Sequence, residues 1–229
     1  MNHPGLQRLL PRFLRRYVLH FESRIEDQLR AFAASLNPGS RVLDAGAGES
    51  THRHLFQAHR YIALDLAIGD PQWNYSKLDV LGDLLALPFP DQSFAACINI
   101  VTLEHVCEPA RALQEIFRVL APRGKLLLVV PHEWEVHQAP HDYFRYTRHG
   151  LVYLLEKAGF RNLQIEPVGG YFRLLARRLL NGLQFFPPVL AVLAAILVAP
   201  PALLLPLLDP LDKKRDFTLG YICVAQKQG

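Results

Sequence analysis

The residues Asp44-Ala45-Gly46-Ala47-Gly48-Glu49-Ser50 place two carboxylates on a glycine turn directly behind the apolar pair Val42-Leu43. Glycines let a backbone bend tightly and let a ligand approach it closely. The acids decide which ligand. A dinucleotide site offers amide donors to a pyrophosphate, whereas Asp44 and Glu49 would repel one, so the turn suits a ligand with positive charge and no phosphate. A further acid, Asp65, ends the apolar run Tyr61-Ile62-Ala63-Leu64, 21 residues beyond Asp44. In a nucleoside-binding α/β fold, an acid at the end of the second strand accepts both ribose hydroxyls.

A sulfonium and an ammonium without a phosphate are what S-adenosylmethionine brings. The pattern Asp44-x-Gly46-x-Gly48-x-Ser50 resembles the first motif of the class I S-adenosylmethionine-dependent methyltransferases, of the methyltransferase-11-like kind, with Ser50 where their last glycine stands. The run Asp83-Leu84-Leu85-Ala86-Leu87-Pro88-Phe89 through Ser93-Phe94 resembles a second block of these enzymes, with Ala95 in place of their usual acid. The resemblance is strong from Arg41 to Val130 and weak beyond. It implies Gly46 and Gly48 beneath the methionine part, Asp44 near the cationic groups, and Asp65 with Leu66 at the ribose. At the adenine it implies Asp83 accepting from the amino group and the Leu84 amide facing a ring nitrogen, with Asp79 as the rival acid. Asn99, closing the fourth strand, lies where ligands bind in open parallel sheets.

Methyl transfer from such a donor is an in-line displacement at an activated carbon, so placing the nucleophile supplies much of the rate. A base is needed mainly for an alcohol or phenol. His141 and His105 are the candidate bases, His141 ahead because its loop should face the acceptor. That loop, from Pro131 to Thr147, is dense in titratable and aromatic side chains and overhangs the carboxyl edge of the sheet. His132, His137 and His141 with Glu133 and Asp142 match no recognised ligand spacing, so no metal is expected. The run from His141 to Thr147 resembles a block in methyltransferases of cell-surface glycan and lipid pathways, ahead of a helix and Ala158-Gly159-Phe160. Arg145 there has two readings, contact with substrate or a bridge between acids.

These residues need a scaffold. Apolar positions spaced by three and four from Leu6 to Phe32 predict an amphipathic helix divided at Pro11, closed by Asn37-Pro38-Gly39. A crossover helix is expected over 51–58, another over 109–120 with Pro109 at its start, and the last regular helix over 150–158. Strands are expected at 95–100, at the fully apolar 126–130, at 163–168 and at 217–225. The resemblance implies an α/β, Rossmann-like seven-stranded mixed sheet, mostly parallel with an antiparallel last strand, with helices on both faces. The segments are 1–36, an N-terminal amphipathic helical part, and 37–229, the methyltransferase domain carrying an apolar helical hairpin insert at 171–215.

The chain has 229 residues, half of them apolar and a fifth charged, which excludes a disordered or fibrous class. Cys97, Cys107 and Cys223 have no paired spacing and read as reduced thiols. No secretory signal is recognisable, so a cytoplasmic location is expected. From Leu183 to Leu208 there is no charge, and Pro187-Pro188 and Pro200-Pro201 bound the apolar run between them. Those prolines should divide the run into pieces too short to span a bilayer. Both ends return to one sheet, so the 185–208 insert is expected to dip into one leaflet as a monotopic or re-entrant hairpin on the inner face of the membrane. The clusters Arg173, Arg177, Arg178 and Lys213, Lys214, Arg215 flank it. Basic residues placed this way do not form the continuous face that nucleic acid requires. The acceptor expected is a lipid-linked saccharide or an isoprenoid lipid. The alternatives are a soluble methyltransferase whose insert is a lid or dimer contact, and a non-catalytic S-adenosylmethionine-binding module. Oligomeric state is not legible.

Overall fold

The computed structural model describes residues 16–229. The helix predicted from Leu6 to Leu14 and its break at Pro11 lie outside the described residues. The described residues form two compact units, one of residues 26–166 and 221–229, the other of residues 16–25 and 167–220.

The first unit is built on a seven-stranded sheet, to which strands crossing the unit boundary also contribute. The strands are β1 (Arg41–Ala45), β2 (Arg60–Asp65), β3 (Val80–Leu81), β4 (Phe94–Ile100), β5 (Leu120–Pro131), β6 (Arg161–Val168) and β7 (Gly220–Gln226). Their order is β3-β2-β1-β4-β5-β7-β6. β1 pairs in parallel with β2 and β4, β2 with β3, and β4 with β5. Leu219 N–H donates to Val168 O (3.1 Å), and Asn162 meets Gln226 (3.2 Å), so β7 runs antiparallel to β6. Strand order reverses between β1 and β4, and in open sheets a ligand binds at such a switch point, beyond the carboxyl ends of the strands.

Alternation along the strands covers both faces. Leu43 and Ala45, Cys97, and Leu126, Leu128 and Val130 join one apolar cluster with α2 (Pro109–Val119) and α3 (Arg148–Ala158). Val42, Ala96, Ile98, Leu127 and Val129 point the other way and are equally buried. Pro109 sits in the first turn of α2, where a missing N–H costs nothing. Thr147 caps α3 by accepting from Gly150 N–H, and Gly159 ends it at φ +104°. Ahead of the sheet, α1 (His20–Ala34) buries Phe21, Ile25, Leu29 and Phe32, the predicted stripe.

The crossover helix expected over 51–58 does not form. Only a 3-10 turn, Arg53–Leu55, lies between β1 and β2. The link, residues 46–59, only just exceeds the dozen residues a parallel crossover commonly needs; the glycine turn takes its first part, and 3-10 geometry gains more length per residue than an α-helix. Thr51, His52 and His54 are also poor helix formers.

Nor is α3 the last regular helix. In the second unit, α4 (Tyr171–Gly182) and α5 (Pro188–Leu204) follow β6, and a 3-10 stretch continues α5 to Leu211. The division expected at Pro200-Pro201 is absent, because α5 runs through both. They stand in its last turns, where their fixed φ is helical and the lost amides cost only two bonds. The ends of the insert are fastened together. Asp212 accepts from Tyr171 N–H (2.8 Å) and Asp209 from Arg173 N–H (3.1 Å), capping α4, while Arg215 donates to Asp209 (2.8 Å). Beyond this clamp α5 is bare, with Val189 76%, Ile196 65% and Leu197 77% exposed.

Candidate active site

The glycine turn sits at the carboxyl end of β1. Gly46 has φ +91°, and a side chain there would collide with Thr102, whose hydroxyl donates to Gly46 O (3.1 Å). A Cβ on Gly48 would come within 3.2 Å of the Trp73 ring. Ser50, at the position where the resemblance expects glycine, adopts φ 56°, a left-handed conformation that costs a non-glycine residue about 1 kcal/mol. Its hydroxyl reaches toward Lys77 O (3.4 Å).

Asp44 is 1% exposed. Its Oδ2 accepts a short hydrogen bond from the Tyr61 hydroxyl, while Oδ1 has no partner. Burial pushes this carboxyl up to about 7; the Tyr61 hydrogen bond opposes that shift, and the charge of Asp65 adds to it. A buried carboxylate with a vacant oxygen is stabilised by a cation.

Asp65 ends β2, with Oδ2 accepting from Gly48 N–H (2.9 Å) and Oδ1 from Ala67 N–H (2.7 Å). Asp44 and Asp65 thus share one edge of two neighbouring strands. Asp83 follows β3 on the same edge and is exposed, accepting from Leu85 N–H (2.8 Å). Leu66 is exposed and Leu84 buried. The rival acid, Asp79, precedes β3 and pairs with Arg53 (2.5 Å) and Ala63 N–H (2.8 Å). It therefore stands at the amino end of that strand, away from the edge, and Asp83 is the acid the topology favours. The residues fit S-adenosylmethionine: a vacant buried carboxylate oxygen, a turn with no room for side chains, and a row of acids.

Asn99 is fully buried, and its side-chain amide donates to Ala45 O (2.6 Å), tying β4 to the start of the turn. The sequence reading overlooked Trp73. It packs against Gly48, and Asn74 N–H, next to it, donates to Glu49 (3.0 Å), which folds this loop over the turn. A lone tryptophan in a polar stretch after the second strand was the available signal.

Of the two candidate bases, His141 is partly exposed, with Nδ1 3.0 Å from the Tyr143 hydroxyl. His105 is held differently: its Nδ1 lies 2.5 Å from His141 O, and its Nε2 is buried, facing Glu104 at 3.7 Å. Glu104 has no exposed surface and also faces His137 Nε2 at 3.6 Å; its carboxylate raises the His137 pKa. Arg145 donates to both oxygens of Asp142 (2.6 and 2.8 Å) and to the carbonyls of Trp134, Glu135 and Phe144. It bridges and ties the loop, and its hydrogen bonds hold the Asp142 carboxyl down at about 2.

The family described as "Methyltransferase domain" matches residues 43–128. A probable S-adenosylmethionine-dependent methyltransferase of Mycolicibacterium smegmatis is 33% identical over 58% of this chain and 56% of its own length. A demethylmenaquinone methyltransferase of Renibacterium salmoninarum is 39% identical over 40% of this chain and 41% of its own. The chain therefore spans only about half the length of the curated relatives it matches. Among solved structures, a SAM-dependent methyltransferase from Archaeoglobus fulgidus superposes with a TM-score of 0.60 at 15% identity, covering 90% of this chain and 94% of that one; this likeness speaks to the fold. The glycine turn, the acid ending β2 and the strand order thus accompany a methyltransferase-domain match over residues 43–128, and by sequence the chain is similar to S-adenosylmethionine-dependent methyltransferases.

Proposed function

We propose that this chain transfers a methyl group from S-adenosylmethionine to an acceptor carried in a membrane, a lipid-linked saccharide or an isoprenoid lipid. When bound, the donor supplies an electrophilic methyl on a sulfonium. The chain's own residues do the rest. Asp44 offers a buried anionic oxygen to the donor's positive groups, Gly46 and Gly48 permit close approach, and Asp65, beside Leu66, takes the ribose hydroxyls. Asp83 and the Leu84 amide meet the adenine, and Asn99 positions the turn through Ala45 O. His141 is the base for a hydroxyl acceptor; His105, turned toward Glu104, is poorly placed for that task.

The observation that carries the membrane reading is the bare α5. The stretch from Pro188 to Leu211 is 24 residues long and contains an 18-residue window with a mean hydropathy of 2.5, long and apolar enough to cross a bilayer. Crossing is disfavoured by the return path. β6 and β7 are sheet neighbours, and residues 212–219 span at most about 29 Å extended, less than the roughly 30 Å hydrocarbon core. Lying within one leaflet needs no return. Side chains such as Val189, Leu193, Ile196 and Leu197 would each gain up to about 1.5–3 kcal/mol on leaving water. Arg173 and Arg215 are engaged with Asp209, and Arg177 lies 3.9 Å from Glu22, so the exposed Lys213 and Lys214 are the residues of the basic clusters best placed to face headgroups. The similarity to a demethylmenaquinone methyltransferase accords with a lipid acceptor.

Flotation with anionic liposomes tests this. The intact protein should float, and a form with residues 185–208 replaced by a short Gly/Ser link should stay below while still binding the donor. If the intact protein does not float and both forms methylate soluble extract equally, the insert is an oligomer contact or lid instead.

A further inference from the structure

The cluster of Glu104, His105 and His137 has no role in the donor site. From it we infer a binding site for a divalent transition metal, zinc or iron(II) in type, with two imidazole nitrogens and one carboxylate as ligands. Their ligand atoms all lie within 4.8 Å of one another.

Three observations meet here. Glu104 has no exposed surface, and neither carboxylate oxygen has a hydrogen-bond partner. The Nε2 atoms of His105 and His137 are likewise buried and unpartnered. They stand 3.7 and 3.6 Å from Glu104 Oε1, too far for hydrogen bonds. Ligands bound at about 2.0–2.2 Å to one ion are separated by roughly 3.0–3.6 Å, so the two Glu104–imidazole separations already stand close to that range, and the two rings close on an ion by rotating within the 4.8 Å that bounds the set.

The tautomers agree. His105 Nδ1 faces His141 O at 2.5 Å and His137 Nδ1 faces Glu135 O at 3.1 Å. A carbonyl only accepts, so the His105 Nδ1 carries the proton; Arg145 Nη2 also lies 3.4 Å from the His137 Nδ1, but the nearer Glu135 carbonyl favours the same tautomer there, and each Nε2 then turns a lone pair inward. Three acceptors then converge with no donor among them, an arrangement that a cation resolves and a single proton satisfies only in part. Outer partners hold the segment that carries the ligand: Asp142 accepts from the His137 backbone N–H (2.8 Å) and is itself gripped by Arg145. Two imidazoles with one carboxylate suit zinc or iron(II), where harder ions prefer all-oxygen sets.

No ligand spacing along the chain reveals this set, because the ligands come from two segments. Glu104 and His105 lie in the 3-10 turn after β4, and His137 lies in the loop after β5. The histidines first weighed as ligands part company: His132 turns Nδ1 to Tyr146 O (2.8 Å) and His141 to Tyr143. Three protein ligands leave coordination positions open. That such a position takes an acceptor oxygen rests on the methyltransferase reading; metal binding does not.

The test is a titration of the full chain, stripped with a chelator, with Co²⁺ as a spectroscopic probe and Zn²⁺ as competitor. One equivalent should bind, give ligand-field absorption and be displaced by zinc. His105→Ala and His137→Ala should each weaken binding at least tenfold with unchanged far-ultraviolet circular dichroism, while His132→Ala binds as the parent does. Glu104→Gln should do the same as the ligand variants if it folds; if it does not, the histidine variants decide. Absence of a saturable one-equivalent signal, or a signal unchanged in both histidine variants, overturns the site, whatever the methyltransferase assay shows.

Discussion

Asp44→Asn, read across pH, isolates the electrostatics of the donor site. The carboxyl moves from 3.8 to about 7 on burial, a differential of about 4 kcal/mol between its two protonation states. Because the folded state holds this proton where the unfolded state has lost it, the group's contribution to stability falls as pH rises from about 4 to about 7. A cationic donor reverses the preference and favours the ionised form. With a midpoint near 7, the ionised fraction falls about tenfold between pH 8 and pH 6, and donor affinity through this residue should fall with it. Asparagine keeps the shape without the charge, so the ratio of parent to variant affinity cancels the ligand's own titration. By calorimetry that ratio should be about ten or more at pH 8, the cost of one charged hydrogen bond, and shrink about tenfold by pH 6. Tyr61→Phe, which removes the hydrogen bond favouring the anion, should move the midpoint upward. A ratio that stays flat from pH 6 to pH 8 would refute the assignment of Asp44 to the cationic part of the donor.

Other outcomes follow from the same geometry. Asp65→Ala should weaken donor binding at least about tenfold, and unchanged calorimetric affinity would remove Asp65 from the ribose. Gly46→Ala should abolish donor binding and lower the melting temperature, since the new methyl meets Thr102 at a positive φ; a parental melting curve with parental binding would show that the turn relaxes freely. His141→Ala should slow transfer to a hydroxyl acceptor. Retention of the parental rate would remove His141 as the base.

Local signals carried the first turn and the strand that follows it. A glycine turn after an apolar strand, and an acid at the end of the next strand, are set by residues a few positions apart, so the turn at Gly46 and Gly48 and the strand end at Asp65 were legible before any tertiary structure. The ridge of apolar residues in α1, the proline start of α2 and the apolar run 126–130 that forms the second half of β5 were legible for the same reason, since local pattern reports burial directly. Signals that depend on competition between distant groups were not. The helix expected after β1 yields to a short crossover, and Pro200-Pro201 fails to break α5 because a proline near a helix end loses little. Asp79 and Asp83 look equivalent in the chain, and only the parallel register of β2 and β3 puts one at each end of β3. Arg145 had two readings until folding surrounded it with Asp142 and three carbonyls. The cluster of Glu104, His105 and His137 is the furthest from the sequence, because its ligands are more than thirty positions apart and their convergence is set by how the loops after β4 and β5 pack. What the sequence determined alone was the ligand class of the first turn; the pairing of distant polar groups was decided by the tertiary fold, because burial and orientation exist only once the strands are side by side.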